Sequence, residues 1–302
     1  MEKPSVERLP AGTPVEKVLE VLDRDGGVVI TNLISQETLA KIAEELKPHE
    51  QPDQEWSGAF FPEATKRICS AMSKSQTYAK EIFLNPLYQE VCNRTLTITK
   101  KSRYGDEIRT FVCRPIGNTS TTFDIGPGAE AQQLHRDDGV NHVEHPTKGP
   151  TLMNMLVAQT RTTPENGATV VVPGSHKWVS YYDDRFAKPE QAIPVCLDPG
   201  DALIFDGALI HGGGANVTKS ERRKVLGAFM VQGNLRSEEN IFLHLPPEVA
   251  KDYPNEALEV YGYKALGSGL GWVNYREPLD AVLGRGKPSP GSLDFNNVGI
   301  TA

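Results

Sequence analysis

The chain has 302 residues, 39 acidic against 32 basic side chains and a formal charge of −7. Such a length buries a large core without disulfide staples, and the acidic balance excludes a non-specific nucleic-acid binder, which needs a basic face to neutralise phosphates. No run of 18 apolar residues is present, and the opening MEKPSVERLPAGTP lacks the apolar stretch of a secretory leader, so the expectation is a cytoplasmic protein with no membrane span.

Residues 1–10 read as a loose arm. Thr13 is placed to cap a helix, with Pro14 at its first position and Glu16 closing a capping box. Val15, Val18, Leu19 and Leu22 then share one face, and Asp25-Gly26-Gly27 stops the run. VVIT (28–31) reads as a short strand. Ser35 caps a second helix, with Leu39, Ile42, Ala43 and Leu46 inward and Pro48 as its brake. A polar loop covers about 49–60, and two further helices are expected at about 75–83 and 86–94.

From about residue 96 the pattern changes to short apolar runs broken by Gly, Pro and Asn: LTIT (96–99), RTFVCRP (109–115), TLMNMLVAQ (151–159), ATVVVP (168–173), DALIFDG (201–207) and KVLGAFMVQ (224–232). Helices come first and strands later, without the alternation a doubly wound sheet requires. The expected fold is mainly β with flanking helices, a jelly roll or double-stranded β-helix of the cupin-like kind. One domain over 1–302 is expected, with a mostly helical support at 1–95, the jelly-roll core at 96–235 and a C-terminal extension at 236–302. In that extension a short helix is expected at 254–261, and Trp272, Tyr275, Leu279 and Val282 either pack it down or form a partner surface. The four cysteines, Cys69, Cys92, Cys113 and Cys196, form no C-x-x-C pair and read as reduced thiols.

QQLHRDDG (132–139) is the sharpest chemical feature. In an extended segment His135 and Asp137 point to one face, so both can reach one metal. His211, in ALIHGGGAN, is the candidate third ligand, and the glycines after it let the backbone fit tightly. Two imidazoles and one carboxylate form the facial triad of non-haem iron(II) oxygenases, which leaves three coordination positions for cosubstrate and O₂. A chance HxD triplet with a satisfied turn histidine is the competing reading. ERRKVLGAF (221–229) adds Arg222 at the start of a strand, a fork suited to a carboxylate, with Arg223 as its rival on the other face. A solvated surface cluster is the alternative for this run.

Four segments in this order, QQLHRDDG (132–139), ENGATVVVPGSHKW (165–178), DPGDALIFDGALIHGGGAN (198–216) and ERRKVLGAF (221–229), resemble the phytanoyl-CoA dioxygenase family of Fe(II)/2-oxoglutarate oxygenases. The likeness is strongest to its fungal branch, which tailors terpenoids, meroterpenoids and indole alkaloids, and it spans residues 15–235. The resemblance implies iron(II) on His135, Asp137 and His211, with 2-oxoglutarate and O₂ as cosubstrates. Arg222 would take the distal carboxylate of 2-oxoglutarate, Thr169 would add a hydroxyl contact, and Gln132 and Arg67 would reach the same pocket. His176 would be a structural loop residue, and His142 and His145 would face solvent or substrate. The carboxylate of Asp137 argues for oxygenation over halogenation, since related halogenases carry a small residue there.

The implied reaction is hydroxylation, desaturation or oxidative rearrangement of a polycyclic meroterpenoid or terpenoid intermediate of fungal secondary metabolism, with release of succinate and CO₂. Phe60, Phe61, Ile68, Met72, Met153, Met155 and Phe205 are candidates for an apolar substrate cavity, with plain core as their alternative. No basic cluster suited to a CoA phosphate stands out, which favours a free small molecule over an acyl-CoA. Acyl-CoA α-hydroxylation and a non-enzymatic cupin-like binding module are the alternatives. The resemblance also implies a homodimer.

Overall fold

Twelve strands appear in the computed structural model, which describes residues 5–50, 64–179, 187–266 and 269–286. In chain order they are β1 (Arg8–Pro10), β2 (Gly27–Thr31), β3 (Thr65–Cys69), β4 (Ile98–Tyr104), β5 (Glu107–Cys113), β6 (Ile116–Ile125), β7 (Leu152–Ala158), β8 (Thr169–Val171), β9 (Ile193–Pro194), β10 (Ala202–Asp206), β11 (His211–Gly213) and β12 (Arg223–Val231). Seven of them form the major sheet in the order β1-β2-β10-β7-β12-β6-β3, while β11-β8-β9 form a minor sheet and β4-β5 a separate hairpin. Only the edge pair β1–β2 is parallel in the major sheet.

Side-chain parity along the major-sheet strands builds the layers. Val28, Ile30, Met153, Met155, Val157, Ala202, Ile204, Leu226, Ala228 and Met230 face a helical layer and share one apolar cluster with it. Their neighbours Val29, Leu156, Leu203, Phe205, Val225 and Phe229 face the minor sheet and form the second cluster with Val171, Val195 and Leu197. Helices α1 (Val15–Asp25) and α2 (Gln36–Leu46) and the helix Pro86–Leu96 supply much of the first layer, through Val18, Leu22, Leu39, Ile42, Tyr88, Val91 and Leu96. Two helical tyrosines lock into the sheet backbone. Tyr78 Oη donates to Gly227 O at 2.5 Å, and Tyr88 Oη lies 2.8 Å from both Met153 O and Ala228 O.

This sheet-on-sheet arrangement with a helical backing is the jelly roll expected. Several local expectations change. Pro14 is the residue before α1, with ψ 139°, so Thr13 sits one position too early to cap and donates instead to Pro10 O. Ser35 caps α2 as expected, its hydroxyl accepting from Thr38 N at 3.1 Å. The segment read as a helix at 75–83 is a short α-turn, Gln76–Tyr78, running into a π-turn, Ala79–Phe83. Residues 96–99 divide between the end of the Pro86–Leu96 helix and the start of β4.

The division at 95/96 is also not a layer boundary, because β1, β2 and β3 all belong to the major sheet. In the C-terminal extension, Leu279 is buried in the helical-side cluster and Val282 packs against it, while Trp272 and Tyr275 stack at 4.2 Å and stay exposed. No described helix is long and apolar enough to cross a membrane.

Candidate metal centre

Two short segments carry the centre, and the backbone joins them directly. His135 N donates to His211 O and His211 N to His135 O, both at 2.9 Å. His211 opens β11, held against β8, and the ring of Phe205 on β10 packs edge-on against its imidazole at 4.8 Å. Asp137 follows two residues after His135, at the start of a 3₁₀ turn, Asp137–Asn141, where its N–H and that of Asp138 both donate to Gly207 O. The carboxylate thus reaches the histidines from a turn rather than from the extended segment foreseen.

Each imidazole is oriented through its Nδ1. His135 Nδ1 donates to Gln133 O at 2.7 Å and His211 Nδ1 to Leu209 O at 3.0 Å. A carbonyl only accepts, so the proton sits on Nδ1 and Nε2 turns its lone pair to the site. His135 Nε2 lies 3.4 Å from Asp137 Oδ1, and His211 Nε2 lies 3.4 Å from Oδ2. One donor atom from each of the three residues falls within 4.8 Å of the other two.

The electrostatics suit ligation. Burial pushes the Asp137 carboxyl up, but His211 and His135 and the Asn154 amide outweigh it and hold the group below its ordinary value. Burial pushes His211 below its ordinary value, whereas for His135 burial is outweighed by Asp137 and the group is raised. Asn154 was not foreseen from the sequence. It is fully buried on β7 and donates through Nδ2 to Asp137 Oδ2 at 2.7 Å. A lone polar residue inside TLMNMLVAQ was the available signal.

A cavity of about 520 Å³ opens over the three residues. Thr169, Gln132 and Arg67 all line it. Gln132 is pinned to β11, its N–H donating to Gly213 O and its Oε1 accepting from Gly213 N. Arg222, expected at the cosubstrate, is paired instead with a carboxylate on β6. Its Nε donates to Asp124 Oδ1 at 2.7 Å, on the same side as Lys224, which also pairs with Asp124. Arg223, one residue on and opposite in parity, lines the cavity and donates through Nη1 to Thr169 Oγ1 at 3.2 Å. It is 4% exposed, its Nε has no hydrogen-bond partner, and burial lowers its pKa to about 10, so it remains a cation at neutral pH. Among the described residues no carboxylate pairs with it.

The other histidines lie apart from the cluster. His176 Nε2 donates to Asp23 O at 3.1 Å, and its ring crowds Gly26. His145, expected to face solvent or substrate, is buried, with Nε2 3.1 Å from Asp138 Oδ1. Of the apolar pocket candidates, Phe205 lines the cavity, while Ile68, Met72, Met153 and Met155 belong to the helical-side core. Phe60 and Phe61 lie outside the described residues. The apolar wall is instead built by Phe123, Ile125, Leu156, Phe205, Val225 and Phe229. Thr119 and Thr121 on β6 also line it. That strand, IGNTSTTFDI, has its apolar residues only near its ends and was not picked out by pattern.

A family profile described as phytanoyl-CoA dioxygenase (PhyH) matches residues 22–224. The chain belongs to this family. Among curated proteins, members resembling it include "Dioxygenase swnH1" of Arthroderma benhamiae, 34% identical over 286 residues that cover 91% of each chain. "Dioxygenase peniF" of Penicillium patulum is 34% identical over 92% of this chain and 91% of its own. Solved structures share the fold. The 2-oxoglutarate-dependent epimerase SnoN from nogalamycin biosynthesis aligns with a TM-score of 0.54 at 19% identity, over 72% of this chain and 80% of that one. HygX of Streptomyces hygroscopicus, solved with nickel and 2-oxoglutarate bound, aligns at 0.52 and 16% identity, over 74% and 89%. The phytanoyl-CoA dioxygenase fold thus carries, in this chain, a two-histidine, one-carboxylate cluster of the type that holds non-haem iron(II).

Proposed function

We propose that the protein is an Fe(II)- and 2-oxoglutarate-dependent dioxygenase that oxidises a polycyclic small molecule, releasing succinate and CO₂. The observation that carries this reading is the juxtaposition of the His135–Asp137–His211 donor set with the buried guanidinium of Arg223 in one cavity. The donor set fits iron: both Nε2 lone pairs and an ionised carboxylate already point inward. Arg223 fits 2-oxoglutarate, because a buried cation with no acidic partner among the described residues and an unsatisfied Nε is completed by a carboxylate taken in two-pronged fashion.

In this reading His135, Asp137 and His211 hold the metal, and Arg223 takes the cosubstrate carboxylate in place of Arg222. Thr169 steadies the guanidinium and offers its hydroxyl to the same carboxylate. Gln132 and Arg67 flank the cosubstrate. Iron(II), when bound, supplies the redox chemistry that couples decarboxylation of 2-oxoglutarate by O₂ to substrate oxidation. Asn154 keeps one oxygen of Asp137 engaged and so steadies the carboxylate that would help hold the metal. The wall of Ile125, Leu156, Phe205, Val225 and Phe229 excludes water and seats an apolar ring system.

The substrate class in this reading is a free terpenoid or meroterpenoid intermediate of fungal secondary metabolism. What supports it is the apolar wall, together with the likeness to fungal dioxygenases over nine-tenths of the chain. A homodimer belongs to the same reading, with the exposed Trp272–Tyr275 pair as the contact. Light scattering in solution checks it, and a strict monomer refutes it. Cytoplasmic location accords with four free cysteines.

The deciding experiment is anaerobic reconstitution with Fe(II) and 2-oxoglutarate, followed by O₂ and a panel of polycyclic intermediates, with succinate and product mass read together. Coupled succinate and a substrate-derived product of altered mass are expected. Absence of succinate under every condition refutes the oxygenase reading, and turnover of acyl-CoA thioesters alone refutes the substrate class.

A further inference from the structure

One charged group in the cavity has no part in holding metal or 2-oxoglutarate. Glu238 lines the cavity that contains His135, Asp137 and Arg223. The residue is solvent-exposed, so it stands at the mouth rather than on the floor.

The fold fixes it there with some care. Asn118 on β6, only 1% exposed, spends its whole side chain on this residue. Its Nδ2 donates to Glu238 Oε1 at 2.5 Å, and its Oδ1 accepts from Glu238 N at 2.8 Å. On either side the segment is tied to the same strand. Ser237 Oγ donates to Gly117 O at 2.7 Å, Glu239 N to Asn118 O at 3.2 Å, and Ser120 N to Glu239 Oε2 at 3.3 Å. A surface glutamate normally samples many rotamers, and holding one costs side-chain entropy. Here the main chain and the first carboxylate oxygen are both set, which leaves Oε2 as the adaptable acceptor.

Among the described residues, no Lys, Arg or His forms an ion pair with Glu238. The residue as a whole is exposed, but its carboxylate is partly buried against Asn118; that burial raises its pKa, the Asn118 amide opposes the shift, and the field of Asp137 adds to it. A polar hydrogen brought by a ligand would relieve both burdens. Apart from the groups assigned to metal and cosubstrate, the remaining wall is Cys69, the hydroxyls of Thr119 and Thr121, and apolar side chains such as Phe123 and Phe229. An otherwise hydrocarbon molecule is therefore met by one fixed anionic acceptor.

We infer that Glu238 is the substrate-recognition residue of this cavity, accepting a hydrogen bond from a donor group, ammonium or hydroxyl, carried by an otherwise apolar ring system. The inference rests on the oxygenase reading for the word substrate, and on geometry alone for the recognition. The donor's place at Glu238, in the same cavity as the histidines, fixes which face of the ring system meets the metal centre. Glu238 is then a determinant of where on the molecule oxidation occurs.

Three bicyclic probes of matched shape test this: decahydroquinoline, which brings an ammonium, decahydro-1-naphthol, which brings a hydroxyl, and 1-decalone, which only accepts. Binding is measured by calorimetry or ligand-observed NMR to protein loaded with Ni(II) and 2-oxoglutarate, which does not turn over. The amine, the alcohol or both should bind at least about tenfold more tightly than the ketone, since a hydrogen bond to a charged group is worth about that factor or more. Glu238→Leu should erase the preference. Glu238→Gln, which keeps an acceptor oxygen and loses the charge, should erase the amine preference and largely keep that for the alcohol, and so tells the two donors apart. Because the side chain is exposed, neither variant removes core packing, and an unchanged Tm is the check.

Equal binding of the three probes to the unmodified protein, no measurable binding of any, or a preference that survives Glu238→Leu overturns the inference. Succinate formation by the Fe(II)-loaded protein is followed separately. Probe discrimination without succinate would refute the oxygenase reading and leave the recognition site standing. Succinate without discrimination would do the reverse.

Discussion

Arg222 and Arg223 are adjacent in sequence, yet their replacements should differ by orders of magnitude in cosubstrate binding. Arg223 is buried beside the metal donors, and its guanidinium donates to the Thr169 hydroxyl. A carboxylate held by both prongs of its guanidinium makes two charge-assisted hydrogen bonds, each worth about 1.5–3 kcal/mol. Replacing Arg223 by Met should therefore weaken 2-oxoglutarate binding by about 3–4 kcal/mol, a few hundred-fold in Kd. The Met side chain fills much of the same volume, and it spares the folded chain an uncompensated buried cation. Tm without cosubstrate should then hold or rise. Arg222, by contrast, is a partly exposed partner of Asp124, and Arg222→Ala should cost at most about 1 kcal/mol of stability and leave 2-oxoglutarate affinity intact.

Calorimetric titration of 2-oxoglutarate into the Ni(II)-loaded variants reads the first quantity, and thermal melts read the second. Affinity of the unmodified protein should also fall as pH rises through about 10, where the Arg223 cation is lost. Normal binding in Arg223→Met with a large loss in Arg222→Ala would refute the assignment.

Other replacements probe the supports. Asn154→Leu removes the amide that engages Asp137 Oδ2 and should weaken Fe(II) binding by about 10–100-fold, with little change in the circular dichroism spectrum; metal titration against a chelator measures it. Tyr88→Phe removes a buried hydroxyl that reaches Met153 O and Ala228 O, and should lower stability to urea by about 1–3 kcal/mol without altering 2-oxoglutarate affinity. Glu45 accepts from Ser75 Oγ, Thr77 N and Thr77 Oγ1; burial raises its pKa, but these bonds outweigh it and bring the net value below the ordinary one. Its stabilisation is thus complete above the ordinary carboxylate range and is lost as pH falls through the lowered value. Urea denaturation across that acid range should show this limb in the unmodified protein and its absence in Glu45→Gln.

The iron donors were legible because the chemistry is written in residue types that few other roles require, two of them two positions apart. Their meeting with His211 was a matter of topology, supplied by the resemblance and realised by a backbone bridge no pattern encodes. The arginine was legible in principle. Arg222 shares its parity with Lys224 and Arg223 with Val225, so a charged neighbour marks the outer face and an apolar one the cavity face. β6 was hidden by its Thr and Ser content. Alternate members face the cavity or tie down other segments, as Asn118, Ser120 and Thr122 do, and such polar duties erase the hydrophobic alternation that marks a strand. Asn154 and Glu238 act through neighbours distant in sequence, and nothing local announces them.

The mutual pair of main-chain hydrogen bonds between His135 and His211 has an architectural consequence. It sets imidazole spacing by peptide geometry instead of by the chain that runs between them. The connection at 146–150 can therefore lengthen, shorten or change composition while the donors keep their places. A scaffold wired in this way lets a surface connection diversify without rebuilding the centre whose donors it runs between.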